Sequence, residues 1–150
     1  MPDWELREAT DDDRDFLFRV HCAAIRESVE ALWGWDEELQ LRIFDERFPR
    51  DPYRVIQVDG GDAGVLVVEE LDDEVFLKLI ELLPEAQGQG IGSSIIRSLQ
   101  ARGKPVTLRV LTTNPRAAAL YQRLGFRVTE RTPERLFMRA EPTSAAGASS

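Results

Sequence analysis

The spacing of apolar residues changes several times along the chain, and each change marks a boundary between predicted elements. Apolar residues at helical spacing fill two early segments, the first capped by Thr10 or Asp11 and the second by Asp36. Alternating or continuous apolar stretches predict the strands of a sheet. The predicted strands cover residues 4–8, 53–58, 63–69, 75–83, 106–111, 126–131 and 135–139.

Two further helices are predicted between strands, one over residues 91–102 and one that begins at Asn114. The helix over 91–102 joins the fourth and fifth strands, and a helical crossover is the usual connection of a parallel pair. The segments 59–62 and 71–74 are short enough to connect antiparallel strands as hairpins. The sequence thus predicts an α/β fold (α+β in some schemes). It would form a single domain over residues 1–140 with a mixed, mostly antiparallel sheet.

A glycine-rich hexapeptide, Gln87-Gly88-Gln89-Gly90-Ile91-Gly92, lies between the fourth strand and the helix that follows it. Glycines let the backbone turn its N–H groups toward a ligand, and a helix start favours an anion such as phosphate. The hexapeptide lacks the Gly-Lys-Ser/Thr end of the Walker loop, and Ser93 stands where the dinucleotide fingerprint needs its third glycine. A phosphate site of another kind and a plain structural turn are the remaining alternatives.

A second motif follows the fifth strand, where Asn114-Pro115 can start a helix and Gly125 can end it. The Gln-x-x-Gly-x-Gly loop and the Asn-x-x-Ala-x-x-Leu-Tyr-x-x-x-Gly-Phe segment together resemble the GNAT acetyltransferases, over about residues 65–138. The resemblance implies the acyl-CoA N-acyltransferase (GNAT) fold, in which the parallel fourth and fifth strands splay apart. It also implies acetyl-CoA as the cosubstrate. One His and one Cys offer no recognisable zinc set, so no metal is expected. The positions that match cofactor-binding residues of the family are Leu82, Leu83, Gln87, Gly88, Gln89, Gly90, Ile91, Gly92, Ser93, Asn114, Ala117 and Tyr121.

Acetyl transfer to an amine needs a group that takes a proton from the amine and a group that protonates the departing thiolate. Glu81 interrupts a very apolar strand, where a carboxylate has to be paired, exposed or functional, and it is the candidate base. A carboxylate held by a neighbouring Lys or Arg is the alternative. The resemblance assigns the general acid to Tyr121 and the oxyanion donor to the backbone of Leu82 and Leu83.

The acceptor side carries a weaker sequence signal. Trp33 and Trp35 flank a glycine between the first two helices, a region that commonly borders the acceptor site in the family. Aromatic faces attract cations, although the two rings would also serve to cover the core. Arg109, in the middle of the fifth strand, would bind an acceptor carboxylate or form an ordinary ion pair. Family members that acetylate protein N-termini often have Glu there.

The predicted function is transfer of acetyl from acetyl-CoA to a primary amine of a small molecule, by direct attack through a tetrahedral intermediate. One alternative is a protein or peptide acetyltransferase acting on lysine or on the N-terminus. The other, from a different class of protein, is a non-catalytic acyl-CoA-binding regulatory module. The sequence leaves open whether the chain is a monomer or a homodimer.

The composition of the chain limits the classes of partner that it is expected to bind. A net charge of −8 argues against nucleic acid and against an anionic membrane surface, and it is compatible with a cationic acceptor. The single cysteine, Cys22, excludes an internal disulfide, and no apolar stretch has transmembrane length, so a cytoplasmic location is expected. His21, the only histidine, lies beside an apolar helix stripe and is expected to pack at the edge of the core. Residues 141–150 have nothing to bury and are expected to form a disordered tail.

Overall fold

The computed structural model describes residues 2–142. Short 3₁₀ turns precede the first helix, at Asp11–Asp13, and follow the fourth strand, at Pro84–Ala86. The predicted tail reaches into residues 143–150, which lie outside the described residues, so it stays a prediction. The strands are β1 (Trp4–Glu8), β2 (Tyr53–Val58), β3 (Gly61–Glu70), β4 (Val75–Leu82), β5 (Val106–Leu111), β6 (Arg127–Arg131) and β7 (Arg135–Ala140), and the helices are α1 (Arg14–Trp33), α2 (Glu37–Arg47), α3 (Ile91–Gln100) and α4 (Pro115–Arg123).

The observed elements follow the predicted ones closely, because local chemistry fixes their ends. Asp59 and Gly60 both have positive φ, at 50° and 87°, so they form the two-residue turn that matches strand twist in a β2–β3 hairpin. The Asp36 side chain accepts a hydrogen bond from the N–H of Leu39 and caps α2, as predicted. Helix α1 begins later than expected, since a 3₁₀ turn lies between Thr10 and its first residue.

The strands are hydrogen-bonded in the order β1-β2-β3-β4-β5-β7-β6. Strand β4 pairs with β5 in parallel, whereas the β1–β2, β2–β3, β5–β7 and β6–β7 pairs are antiparallel. The parallel register runs only from Val75 opposite Val106 to Leu77 opposite Leu108, although β4 itself continues to Leu82. The predicted fold class, a mixed and mostly antiparallel sheet with parallel fourth and fifth strands, is confirmed.

The chain divides into two compact units. The first contains the chain up to Val68 together with Leu79–Gly92. The second contains Glu69–Lys78 and the chain from Ser93 onward. Strands β3 and β4 and helix α3 contribute residues to both units, so the division passes through elements rather than between them. Each unit is described below by itself.

The core of the first unit lies where α1 and α2 pack on the sheet. Its fully buried members come from both helices and from β2 and β3. Leu79 and Leu83 pack against this cluster, and strand alternation places Glu81, which lies between them, on the same face. A carboxylate therefore stands at the border of an apolar core. The buried cluster consists of Leu17, Val20, Phe44, Tyr53, Val55, Val65 and Val67.

In the second unit, α3 supplies a fully buried apolar stripe of Ile95, Ile96 and Leu99. Its last residue, Gln100, is also buried, and its Nε2 donates a 2.7 Å hydrogen bond to the carbonyl of Leu124 just beyond α4. A buried amide with a good partner costs little, and this bond links the ends of two helices.

An ion-pair network fixes the approach to α1 in the first unit. Arg7 of β1 contacts both carboxylate oxygens of Asp13 at 2.8 Å and also Asp62 at 2.9 Å. The N–H of Thr10 donates to the same Asp13 carboxylate at 2.8 Å. The Arg7 guanidinium, more than any other group, lowers the pKa of Asp13 from its ordinary 3.8 to about 2.

We expect Asp13→Asn to destabilise the chain at neutral pH and to lose this effect in acid. A lowered folded-state pKa means that the charged pair stabilises the fold above about pH 4 and stops doing so as the pH falls toward 2. Urea unfolding of both proteins at several pH values measures the difference in unfolding free energy. A difference that stays constant from pH 6 to about 2 would contradict the assignment.

Candidate functional site

The glycine-rich loop connects β4 to α3 within the first unit and is braced by its own glutamines. Gly88 and Gly90 have φ of 74° and 80°, a conformation that side-chain-bearing residues rarely adopt. The Nε2 of Gln87 donates to the carbonyl of Leu82 at 2.9 Å, and the Nε2 of Gln89 donates to the carbonyl of Glu85 at 2.9 Å. Both predicted ligand side chains thus hold the loop to the preceding turn.

The first turn of α3 has the features of an anion site. Gly92 has an ordinary φ, and among residues 2–142 a Cβ built there would meet no atom within 4 Å, so no described neighbour requires glycine at this position. The turn contains no acidic side chain. Free N–H groups at a helix start carry partial positive charge. An open cradle over such a helix start fits the pyrophosphate of a coenzyme.

Within the described part of the chain, Glu81 forms no ion pair with Lys or Arg. Its carboxylate lies against His21 of α1, with His21 Nδ1 at 2.9 Å from both Oε1 and Oε2. The Glu81 side chain is 8% exposed and that of His21 is 14% exposed. The expectation that His21 packs at the edge of the core agrees with this burial. No pattern in the sequence indicates its partner, which lies sixty residues further along the chain.

Cys22 follows His21 on α1 and is half-buried. Burial raises the pKa of its thiol to about 11, and the negative charges of Glu37 and Glu81 act in the same direction, against the opposing charge of Arg26. A thiol with so high a pKa stays protonated at neutral pH and is a poor nucleophile. A covalent acetyl-cysteine intermediate at Cys22 is therefore disfavoured.

The tryptophans differ in environment. Trp33, at the end of α1, is 55% exposed. Trp35 is half-buried, and the guanidinium of Arg26 lies 5.4 Å from the centroid of its ring. Within residues 2–142, the Trp35 Nε1 is a buried side-chain donor without a hydrogen-bond partner. A buried N–H of this kind is costly unless something accepts from it.

Backbone contacts distinguish the two leucines that were matched to the oxyanion donor. The N–H of Leu83 donates to the carbonyl of Ala63 at 2.8 Å, and the carbonyl of Leu83 accepts from the N–H of Ala86. Successive N–H groups of a strand point to opposite sides, so the N–H of Leu82 points away from Ala63. The N–H and the carbonyl of Leu83 are thus both hydrogen-bonded within the protein.

In the second unit, the Asn114 motif forms the helix start that was predicted. The Asn114 Oδ1 accepts from the N–H of Ala117 at 3.2 Å and caps α4, which leaves the amide Nδ2 as the group with which a ligand would interact. Tyr121 is half-buried on α4, with its ring 5.8 Å from that of Phe126. Gly125 has φ of 94° and ends the helix, as predicted.

Comparison with known protein families shows to which family this chain belongs. The profile of the Acetyltransferase (GNAT) domain matches residues 49–128, which is more than half of the chain. This protein belongs to the GNAT acetyltransferase family. The family predicted from the sequence, a family of acetyltransferases, is therefore confirmed.

One related protein agrees with this family assignment. The name of YjbC of Bacillus subtilis (strain 168) assigns it provisionally to the acetyltransferases. YjbC is 27% identical to this chain over 74 residues, which make up 49% of this chain and 38% of YjbC. The matched part is thus well under half the length of that relative.

Solved structures share the fold. PaiA N-acetyltransferase from Thermoplasma acidophilum, in complex with coenzyme A, has a TM-score of 0.72 at 16% identity, over 93% of this chain and 99% of PaiA. YncA of Salmonella typhimurium, with acetyl-CoA as its cofactor, has a TM-score of 0.59 at 20% identity (92% and 93% of the chains). SpeG spermidine N-acetyltransferase of Vibrio cholerae has a TM-score of 0.64 at 16% identity (93% and 94%).

Arg109 of this GNAT protein occupies an open cleft of about 460 Å³ in the second unit. Its guanidinium lies 5.0 Å from the centroid of the Phe76 ring, and Glu74, Thr107, Phe137 and Arg139 also line the cleft. A cation over an aromatic ring is stabilised without an ion pair. The structure thus gives Arg109 an aromatic partner, and its role toward an acceptor stays a prediction.

Two kinds of feature are absent from residues 2–142, a membrane-spanning helix and a cluster of metal ligands. No helix in this part of the chain is both long enough and apolar enough to cross a bilayer. No three His, Cys, Asp or Glu side chains converge there as a metal site would require.

Proposed function

We propose that this GNAT protein transfers the acetyl group of acetyl-CoA to a primary amine of a small molecule. The observation that carries the proposal is the open glycine cradle at Gly92, above a helix start without acidic side chains. It follows directly on the strand that holds the buried Glu81. One unit therefore holds a place for the pyrophosphate and a proton-accepting centre.

The comparisons support the choice of cosubstrate and acceptor. PaiA is described in complex with coenzyme A, and YncA with acetyl-CoA. SpeG acts on spermidine, a small polycation, and the net charge of −8 on this chain would attract such an acceptor. Trp33, which is largely exposed, offers an aromatic face to the same kind of cation, whereas the ring of Trp35 already has the guanidinium of Arg26 over it.

The reaction then needs few groups. The amine nitrogen forms a bond with the thioester carbonyl carbon, and the carbon–sulfur bond breaks with its electron pair on sulfur. The N–H of Leu82 is our candidate donor to the carbonyl oxygen, because the N–H of Leu83 already binds Ala63. Of the two protons that the ammonium group loses, one is taken at the Glu81 centre and released to solvent. The other replaces the proton that Tyr121 gives to the thiolate.

The direct test is to incubate the purified chain with acetyl-CoA and single acceptors while the release of free thiol is followed. Spermidine, free amino acids, a lysine peptide and a peptide with N-terminal alanine cover the main classes. We expect transfer to a small amine, with a higher kcat/KM than for either peptide. Preference for a peptide would overturn the substrate class, and tight acetyl-CoA binding without transfer to any acceptor would favour the regulatory module.

For Tyr121→Phe we expect kcat to fall about a hundredfold, the usual size of a general-acid contribution. The Kd of acetyl-CoA should stay the same, because the ring and its packing on Phe126 remain. Calorimetric binding together with steady-state kinetics separates the two quantities. A variant with unchanged kcat would mean that Tyr121 has only a packing role.

A further inference from the structure

We propose that His21 is the catalytic base that takes the proton from the acceptor amine, and that Glu81 is a positioning residue that holds its imidazole. The inference rests on the proposed function, since it concerns the same transfer. It departs from the sequence-based expectation that Glu81 itself accepts the proton. It gives the only histidine of the chain a role in chemistry.

The geometry of the pair sets the position of its hydrogen. Nδ1 of His21 lies at the same distance, 2.9 Å, from both oxygens of Glu81. A proton on the carboxyl group would favour one oxygen, whereas an N–H can be shared by two oxygens of an ionised carboxylate. We therefore assign the hydrogen to Nδ1. In the neutral ring with this hydrogen, the second nitrogen, Nε2, carries the lone pair that can accept a proton.

The same contact removes Glu81 as the direct acceptor. Both of its oxygens are engaged by one N–H, and its side chain is 8% exposed. The imidazole is more exposed, at 14%. Its helix is anchored by Leu17 and Val20, which are fully buried. His21 follows Leu17 by one helical turn and lies on the same side of α1.

Three of the other groups around Glu81 cannot accept the proton. The thiol of Cys22 has a pKa of about 11 and is already protonated at neutral pH. Tyr53 has its pKa raised to about 12, by burial first and then by the charges of Asp51 and Glu81, and is protonated as well. Arg26 is a permanent cation, and Glu37 lies on α2 near the thiol.

The proposed step is a single proton transfer. The ammonium group of the acceptor gives one proton to Nε2, which leaves a neutral amine with a lone pair for the thioester carbon. The imidazolium that forms has its positive charge next to the ionised Glu81, which stabilises it. Once the product has left, Nε2 returns the proton to solvent and the pair is restored. No oxidant, metal or further reactant is needed.

His21→Asn tests the proposal, because its side-chain amide can still donate to Glu81 but has no basic nitrogen. We expect kcat/KM for the amine to fall at least about a hundredfold. The Kd of acetyl-CoA should stay within about twofold. Cys22→Ala, the neighbouring position on α1, is the matched control and should keep full activity. If His21→Asn loses less than about tenfold, the proposal is overturned.

Glu81→Gln, made alone and in the His21→Asn protein, tests whether Glu81 acts through the histidine. We expect a loss of about tenfold or more alone and almost none in the His21→Asn background, because groups that work as a unit are not additive. An equal loss in both backgrounds would overturn the positioning role. His21→Ala gives a further check, since added imidazole should restore part of its activity, and a folded variant without such rescue would contradict a base at this position.

A spectroscopic measurement does not depend on turnover. With a single histidine, a tag-free chain gives one pair of imidazole ¹⁵N signals, and these report which nitrogen carries the hydrogen. We expect the Nδ1–H form in the wild type. An Nε2–H form would overturn the proposal even if the enzyme is active, whereas a wild type that transfers acetyl to no amine would overturn the proposed function itself.

Discussion

Gly92→Asp is expected to weaken acetyl-CoA binding by about a hundredfold or more while the chain stays folded. Two like charges about 4 Å apart cost roughly 4 kcal/mol near a protein surface, which exceeds the free energy of a hundredfold change. Asp suits the first turn of a helix, where it meets the positive end of the dipole. Its Cβ would meet no protein atom within 4 Å. Gly92→Asp should therefore weaken the binding of acetyl-CoA while it favours the folded helix start.

Gly92→Ala is the matched control, since it adds the same Cβ without the charge. It should bind acetyl-CoA nearly as well as the wild type and gain roughly 0.5–1 kcal/mol in stability, because alanine favours a helix over glycine. Calorimetric titration and thermal unfolding of all three proteins supply both quantities. Full binding by Gly92→Asp would mean that the pyrophosphate does not lie over this helix start.

The second large effect is expected in stability. Gly64→Ala should lower the free energy of unfolding by about 2–3 kcal/mol, in the range of overpacked sites. A Cβ at Gly64 would overlap the carbonyl oxygen of Glu81 and come within 2.9 Å of the Leu82 side chain. The first obstacle is backbone, which cannot rotate away as a side chain can. Strands β3 and β4 would have to move apart at the carboxylate that binds His21.

Gly61→Ala, on the same strand, is the control for Gly64→Ala. Its Cβ would lie 3.8 Å from the carbonyl of Val58, an ordinary contact, so stability should change little. For a chain of this size the Gly64 variant should melt roughly 4–12 °C lower, at 2–4 °C per kcal/mol. Equal melting temperatures for the two variants would show that β4 yields to the added methyl group without cost.

The sequence predicts the fold well because its signals are local. Alternation placed β2 and β5 at their observed bounds, and Asn114 and Gly125 mark the limits of α4 by caps that need no knowledge of distant residues. Alternation also put Glu81 on the core face of its strand, and helical spacing put His21 beside the apolar stripe of α1. Neither the strand alternation nor the helical spacing shows that the face with Glu81 contacts the face with His21.

Long-range packing determines the side-chain and backbone partners that the sequence motifs do not specify. The contact of His21 with Glu81 depends on how α1 lies on β4, which is a property of the assembled core. The same holds for Leu83, whose N–H is taken by Ala63 of the neighbouring strand, and for Arg109, whose cation lies over Phe76. Sequence motifs identified the loop and the cap, whereas partners brought together by tertiary packing could not be predicted from spacing alone.

Strand β6 bears on how copies of this protein behave in crowded solution. It is an edge of the sheet, and all five of its residues are exposed. An edge of this kind can recruit a strand from another copy and seed aggregates. Here the register shifts between Val128 and Glu130, and Arg127, Glu130 and Arg131 place charges along the strand. A bulged and charged border offers no flat template for a strand of another copy.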